Sequence, residues 1–398
     1  MGDGREGRRL EQHKVIYLDH AATSWPKPEA VVKAVYDAMV NDTANPGRGS
    51  HAMAVRSSRH IFQARKQLAK LFRISNPNDI AFSLNTTTAL NQAIKGFVQP
   101  GDHVISTAVE HNSVRRPLEY LKQAIGIRVT YIEADEKGFI TPQQVEQAIT
   151  HSTRLVIVNH SSNLLGTIAP IADIGEVCRR NGVKLLVDAA QSAGILPIDV
   201  EAMGIDMMAF PGHKGLLGPQ GTGGLYIHPS LDLVPMLHGG TGSQSEAPEQ
   251  PSVRPDRYEA GTPNTPGLAG LAAGVSHVLH ETVQTIHTKE WRQTQMMMEG
   301  LLGIPGIQVL GPDVGQPRTG IVSFNLAGAD ASELSFILDQ HYGIAVRAGY
   351  HCTPLAHAAA GTMETGAVRA SVGCFTTDAE AMAIVDAMKE IQKHYSDG

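Results

Sequence analysis

The amino-acid sequence predicts an α/β fold, with a large domain built on a mostly parallel sheet and a smaller α+β domain. Three observations predict it. Between about residues 80 and 230, short apolar strand-like runs alternate with segments of helical period, the pattern of parallel strands joined by crossover helices. After Pro266 the pattern changes to long helices with a few separated strands. Of the 398 residues, 42% are hydrophobic and 18% charged, which supplies apolar surface for a large core.

The elements follow in chain order. Residues 1–14 are polar and carry three Gly, and read as a mobile tail. Val15–Leu18 reads as a short strand. Pro26 and Pro28 open a helix whose apolar positions Val31, Val32, Val35, Ala38 and Met39 fit helical spacing. Asn45-Pro-Gly-Arg-Gly49 is a loop. Strands are expected at Ile80–Leu84, His103–Ser106, Arg128–Ile132, Leu155–Asn159, Lys184–Asp188, Met207–Phe210 and Gly223–Ile227. Helices between them are expected at Ala89–Phe97, Pro142–Ile149 and Ile171–Arg180. The Gly-, Pro-, Ser- and Gln-rich stretch 239–266 is a long loop, and loops of that length usually serve function. Beyond it come a helix from Leu268 to Leu302 that can break near His280, and a strand at Gly320–Leu326. A helix at Ala331–His341, strands at Ile344–Arg347 and Ala367–Val372, and a helix from Asp378 to His394 complete the chain. This gives a tail at 1–14, a large domain at 26–265, and a small domain formed by 15–25 together with 266–398.

Charge and composition exclude several function classes. Lys and Arg number 33 against 39 Asp and Glu, a net charge of −6, with no basic stripe, so no nucleic-acid partner is expected. No apolar run is long enough to span a bilayer and no basic-then-apolar signal segment opens the chain, so the expected location is cytoplasmic, with no membrane partner. Three cysteines, Cys178, Cys352 and Cys374, cannot make a disulfide framework and leave room for a reactive thiol. The glycine-rich motifs that mark NAD and ATP binding are missing, and the 18 scattered His give a metal site little support.

Three local features point to one chemistry. Lys214 lies in P-G-H-K-G-L-L-G-P-Q-G-T-G-G (211–224), where backbone can approach a ligand; a desolvated lysine becomes a nucleophile towards carbonyls. A loop lysine beside tight turns would give the same pattern. Asp188 ends the apolar strand Lys184–Asp188, where ligands of α/β sheets bind, and could hold a pyridinium N–H; an Asp capping a turn is the alternative. Asn85-Thr-Thr-Thr88 precedes a helix whose N-terminus could bind phosphate, and simple helix capping explains it equally. In this order they supply the parts of a pyridoxal 5'-phosphate (PLP) site.

The sequence resembles the fold-type I, class V aminotransferase superfamily, and within it the cysteine desulfurases of the SUF type (group II) and the selenocysteine lyases. The matching segments are Y-L-D-H-A-A-T (17–23), R-G-S-H (48–51), E-H-N-S (110–113), S-N-L-L-G-T (162–167), V-D-A-A-Q (187–191), G-H-K (212–214), E-A-G-T-P-N (259–264), R-A-G-Y-H-C (347–352) and V-R-A-S (368–371). The resemblance implies that Lys214 carries PLP as a Schiff base and shuttles the Cα proton. Asp188 would pair with the ring nitrogen, His111 would stack on the ring and Gln191 would bond its phenolic oxygen. Thr86, Thr87 and His213 would hold the phosphate. Thr262 would reach the phosphate of a neighbouring subunit, which implies a homodimer. Asn163 and Arg369 would bind the substrate carboxylate, and His51 would lie near the substrate side chain. Cys352 would attack the sulfur of bound L-cysteine and pass a persulfide to a sulfur-acceptor protein, with Arg347 and His351 close enough in sequence to lower its pKa. Pro211 stands where relatives usually have Ser, which removes a phosphate hydroxyl. A selenocysteine lyase acting on L-selenocysteine, a cysteine-sulfinate desulfinase, a transaminase and a non-catalytic persulfide carrier are the rival readings.

Overall fold

The computed structural model describes residues 15–47, 49 and 51–396. The expectation for residues 1–14, and the Arg48 and Ser50 positions of the R-G-S-H segment, lie outside the described residues.

The chain opens with strand β1 (Ile16–Tyr17) and helices α1 (Glu29–Asn41) and α2 (Ala52–Phe72). An alternating run follows: β2 (Ile80–Ser83), α3 (Thr86–Phe97), β3 (His103–Thr107), α4 (Asn112–Ile125), β4 (Arg128–Ile132), α5 (Pro142–Ala148), β5 (Thr153–Asn159), α6 (Ile171–Arg180), β6 (Lys184–Asp188), β7 (Met207–Pro211) and β8 (Gly223–Ile227). These strands form one sheet in the order β2-β8-β7-β6-β5-β3-β4. All neighbours in it are parallel except β8, which runs antiparallel to both β2 and β7. Both faces are covered. Leu68 and Phe72 of α2 and Ile174 of α6 pack on one face, and Leu90 of α3 and Leu118 of α4 on the other. Burial on both faces is why β5, β6 and β7 read as unbroken apolar runs.

The remainder comprises α7 (Thr265–Glu281), α8 (Val283–Leu302), β9 (Ile307–Leu310), β10 (Ile321–Leu326), α9 (Ala331–Tyr342), β11 (Ile344–Ala345), β12 (Arg347–Gly349), α10 (Pro354–Ala359), β13 (Ala367–Ser371) and α11 (Asp378–Ser396). β12-β13-β10-β9 form a four-stranded antiparallel sheet, while β11 pairs in parallel with β1. A second core joins Phe324, Val368, Leu334, Met388 and Met297, and it includes Leu18 from the N-terminal segment. Among the described residues no helix is long and apolar enough to cross a membrane.

Several elements differ from the sequence expectation. The break expected near His280 in the Leu268–Leu302 helix falls at Thr282, which adopts a φ of 66° and whose hydroxyl caps the second helix by accepting from Thr285 N–H. Leu268, Leu271 and Val275 of α7 enter the large core, whereas Met297, Met298 and Leu301 of α8 enter the small one. The expected strand Ile344–Arg347 is also two, β11 and β12, serving different sheets. Helices α2, α4 and α10 and strand β9 had no counterpart in the expectation. Ser57 and Arg65 sit on the buried face of α2 and interrupt its apolar period, whereas α4 keeps helical spacing at Val114, Leu118, Leu121 and Ile125 but carries Pro117, which reads as a breaker.

Candidate active site

Strands β2, β3, β5, β6 and β7 all point the same way, so their C-terminal ends meet at one edge of the sheet. A cavity of about 230 Å³ opens there. Each wall is the continuation of a strand. Thr86 and Thr87 follow β2, His111 and Ser113 follow β3, Asn159 ends β5 with Asn163 beyond it, Asp188 ends β6 with Ala190 and Gln191 beyond it, and His213 and Lys214 follow β7. Gly212 and Gly215 flank His213 and Lys214 because the chain is crowded there: a β-carbon at Gly212 would collide with Thr222 Oγ1, and one at Gly215 would lie 2.6 Å from the Ala193 carbonyl.

The phosphate end is built at the start of α3. The Asn85 side chain caps the helix by accepting from Thr88 N–H at 2.9 Å, and helix geometry leaves the Thr86 and Thr87 N–H groups without a partner inside α3. Thr87 Oγ1 lies 2.7 Å from Ser113 Oγ, which adds a second hydroxyl to the cup. Across the cavity His213 Nδ1 is 3.1 Å from Thr23 Oγ1.

Burial sets the charge states. Lys214 is pushed down to about 8 by desolvation first and by the Arg369 guanidinium second, with Asp188 opposing, so a usable fraction of its amine is neutral near pH 7. Asp188 is pushed up to about 6 by burial, opposed by the Ala190 N–H that donates to Oδ1 at 2.9 Å and by Lys214. His111 falls to about 4 through burial and the nearby Lys214, which keeps its imidazole neutral. Its Nδ1 accepts from Ser113 N–H at 3.0 Å, which holds the ring at the N-cap of α4, where it lines the cavity. Gln191 Nε2 donates to the Ala21 carbonyl at 3.0 Å.

The arginines approach from the second sheet. Arg347 on β12 and Arg369 on β13 are direct cross-strand partners, and both act electrostatically on Lys214. Arg369 is fully buried; one terminal nitrogen donates to the Asn163 carbonyl at 2.9 Å and the other to Asp19 Oδ1 at 2.9 Å. Its Nε is buried without a hydrogen-bond partner, as is Asn163 Oδ1. An unpartnered guanidinium N–H beside the amine of Lys214 suits an incoming carboxylate.

Cys352 is exposed, in the turn between β12 and α10. His351 cannot supply the positive charge expected beside it. Burial, with Arg369 as the next contributor, drives its ring down to about 3, so it is neutral at physiological pH. Cys178 is buried on α6 with its thiol pushed up to about 12, and Cys374 is half-buried and pushed up to about 11, both by desolvation first. Neither is poised as a thiolate.

Two expected residues lie apart from the cavity in this chain. His51 is the N-cap of α2, its Nδ1 accepting from Ala54 N–H at 3.3 Å. Thr262 lines a different cleft, with Phe82, Thr88 and Tyr258. Conversely, the structure adds Ser113, Asn159 and Glu110 to the site. Glu110 is fully buried at the exit of β3, where Oε1 accepts from Thr107 Oγ1 at 2.7 Å and Asn159 N–H at 2.8 Å; burial raises it to about 8. The E-H-N-S segment contained Glu110 and Ser113, but a buried carboxyl and an exposed one look alike in sequence.

A family model described as aminotransferase class-V matches residues 16–384. The chain belongs to the class-V aminotransferase family. The family is PLP-dependent, and the residues present fit that cofactor: a helix N-terminus with two hydroxyls for phosphate, a buried acid at the far end, a neutral imidazole and a buried amine with lowered pKa in one cavity. Among relatives, a probable cysteine desulfurase of Methanothermobacter thermautotrophicus is 36% identical over 94% of this chain and 94% of its own. The apo structure of the cysteine desulfurase from Thermococcus onnurineus NA1 superposes with a TM-score of 0.90 at 32% identity, covering 96% of this chain and 95% of that one. A cysteine desulfurase from Escherichia coli, solved as its S-sulfonic acid, gives a TM-score of 0.86 at 28% identity over 95% of each chain. These relatives match the chain nearly end to end.

Proposed function

We propose that this chain is a PLP-dependent cysteine desulfurase that converts L-cysteine to L-alanine and transfers the sulfur, through Cys352, to an acceptor protein. The observation that carries the reading is the meeting of Lys214 and Asp188 in one buried cavity, beside paired arginines and within reach of a turn that exposes a cysteine. The close similarity to cysteine desulfurases over almost the whole chain supports it.

Bound in this cavity, PLP supplies an electron sink for negative charge at the substrate Cα. The chain supplies the rest. Thr86, Thr87 and His213 would hold the PLP phosphate, Asp188 would keep the proton on the ring nitrogen, His111 would lie against the ring and Gln191 would bond its phenolic oxygen. Arg369 takes the substrate carboxylate, with Arg347 adding positive charge. Lys214 accepts the Cα proton and later returns one. The Cys352 thiolate attacks the substrate sulfur. The new S–S bond forms as the Cβ–S bond breaks, its electron pair remains on Cβ and takes up a proton, and L-alanine leaves behind a Cys352 persulfide. A reductant or an acceptor thiol then removes the outer sulfur.

Thr262 and His51 fit this reading only if a second copy brings them to the site, and we propose a homodimer on that ground. Incubation of the purified holoenzyme with L-cysteine and a thiol reductant should release alanine and sulfide in equal amounts. Cys352→Ala should keep the cofactor colour and release neither. Alanine and sulfide from that variant at the parent's rate would remove Cys352 from the mechanism. Turnover of L-selenocysteine or cysteine sulfinate with none of L-cysteine would move the assignment to those substrates.

A further inference from the structure

The backbone around Cys352 is held in a conformation that its residues disfavour. His351 and Cys352 have φ of 51° and 59°. Thr353 N–H donates to the Tyr350 carbonyl at 3.0 Å, which closes a four-residue turn around them. Positive φ at both central positions is the pattern of a type I′ turn, and Asn and Gly normally fill it. Residues with a β-carbon adopt it at a cost and remain there only when their surroundings hold them.

Two hydrogen bonds do the holding, one on each central carbonyl. Asn112 N–H donates to the Cys352 carbonyl at 2.8 Å, which ties the turn to the start of α4 next to His111. Asn163 Nδ2 donates to the His351 carbonyl at 2.8 Å. The His351 ring is buried and stacks on His357, with centroids 5.7 Å apart and planes at 14°. Asn163 is itself fixed, because it is buried and its backbone carbonyl accepts from Arg369. A continuous path therefore runs from Arg369, through Asn163, to the peptide that carries the thiol. One of the two N–H donors of the Asn163 amide is committed to the turn, and the buried Oδ1 has no partner. The amide's firm commitment is to the turn.

We propose that Asn163 is a positioning residue for Cys352: its amide N–H clamps the His351 carbonyl and keeps the Tyr350–Thr353 turn in the left-handed conformation that presents the thiol. This rests on the reading of Cys352 as the nucleophile. It gives Asn163 a task in addition to carboxylate binding, and it couples the nucleophile's placement to the arginine that grips the substrate.

The test uses the holoenzyme and Asn163→Asp, which keeps the shape and removes the donor. Asn163→Ala serves as the second variant, since it removes the donor without adding charge. Hydrogen–deuterium exchange of the segment 346–356, without substrate, should be faster by about tenfold or more in both variants. Alkylation of Cys352 by iodoacetamide should persist, showing that the thiol is intact. The kcat for L-cysteine should drop by about tenfold or more, because a misplaced nucleophile lowers the chemical step. A raised KM with unchanged kcat and unchanged exchange would make Asn163 a carboxylate ligand only and overturn the clamp. The two failures are separable. Turnover by Cys352→Ala sinks the nucleophile reading, whereas unchanged exchange in Asn163→Asp sinks the clamp.

Discussion

Asp188 and Glu110 are both buried at strand ends, and the Asp188 charge adds to the cost of ionising Glu110. Burial puts Asp188 at about 6 and Glu110 at about 8, so in the cofactor-free protein the charge at neutral pH rests on Asp188. A raised acid pKa means that the folded state holds the proton more tightly than the unfolded one. Stability is then highest below the unfolded value near 4 and is lost as pH rises towards 6. Asp188→Asn cannot ionise. Its cofactor-free form should be more stable than the parent at pH 7, by roughly 2–3 kcal/mol at most, and equal to it below about pH 4. Thermal melts at the two pH values check this, and a variant that melts lower at pH 7 would contradict the burial argument. Lys214→Ala should lower cysteine turnover by roughly 10²–10⁴-fold, measured as alanine release. Lys214 and Asp188 were legible in the sequence because their neighbours are distinctive, a glycine-rich stretch and an apolar strand. Glu110 was not, since nothing near it in sequence reports burial.

Helix α3 does two things at its first turn. Asn85 satisfies Thr88 N–H, and the freed N–H groups of Thr86 and Thr87 face the cavity. Asn85→Ala should destabilise the protein by about 1 kcal/mol in a denaturant titration. Thr87→Ala should weaken PLP affinity by roughly tenfold, measured by fluorescence during cofactor uptake, because it removes one hydroxyl from a charged phosphate. An unchanged affinity would place the phosphate elsewhere. The neighbouring helix α4 shows why some elements escaped the sequence. Val114, Leu118, Leu121 and Ile125 keep helical spacing, but Pro117 within the helix and Asn112-Ser113 at its start read as a turn.

At the scale of the whole molecule, two cores meet across the site. α7 packs on the large sheet and α8 on the small core, with Thr282 between them. We propose that the domain division falls at this junction, with residues 15–25 joining the small domain through Leu18. The surface also carries Val32, Tyr36, Met39 and Val40 on one face of α1, all more than half exposed. An apolar stripe of this kind and a Thr262 remote from its own cavity fit a second copy of the chain. Sedimentation should therefore give twice the chain mass. Thr262→Ala should weaken PLP binding although its own cavity lacks Thr262, and a monomer that binds PLP at full affinity would contradict the dimer.

The sequence by itself determined the alternating α/β layout, the strand-end acid, the glycine-flanked lysine and the exposed cysteine segment. Each is a local pattern, written within a few residues by hydrophobic period or turn chemistry. Tertiary structure decided what depends on separation along the chain. Arg369 meets Asn163 and Asp19, Asn112 holds Cys352, and Asn163 holds His351, all across more than a hundred residues. The charge states were decided there too, because desolvation is a property of packing: Lys214 holds its proton less tightly, His351 is kept neutral and Glu110 keeps its proton only once both cores close around them.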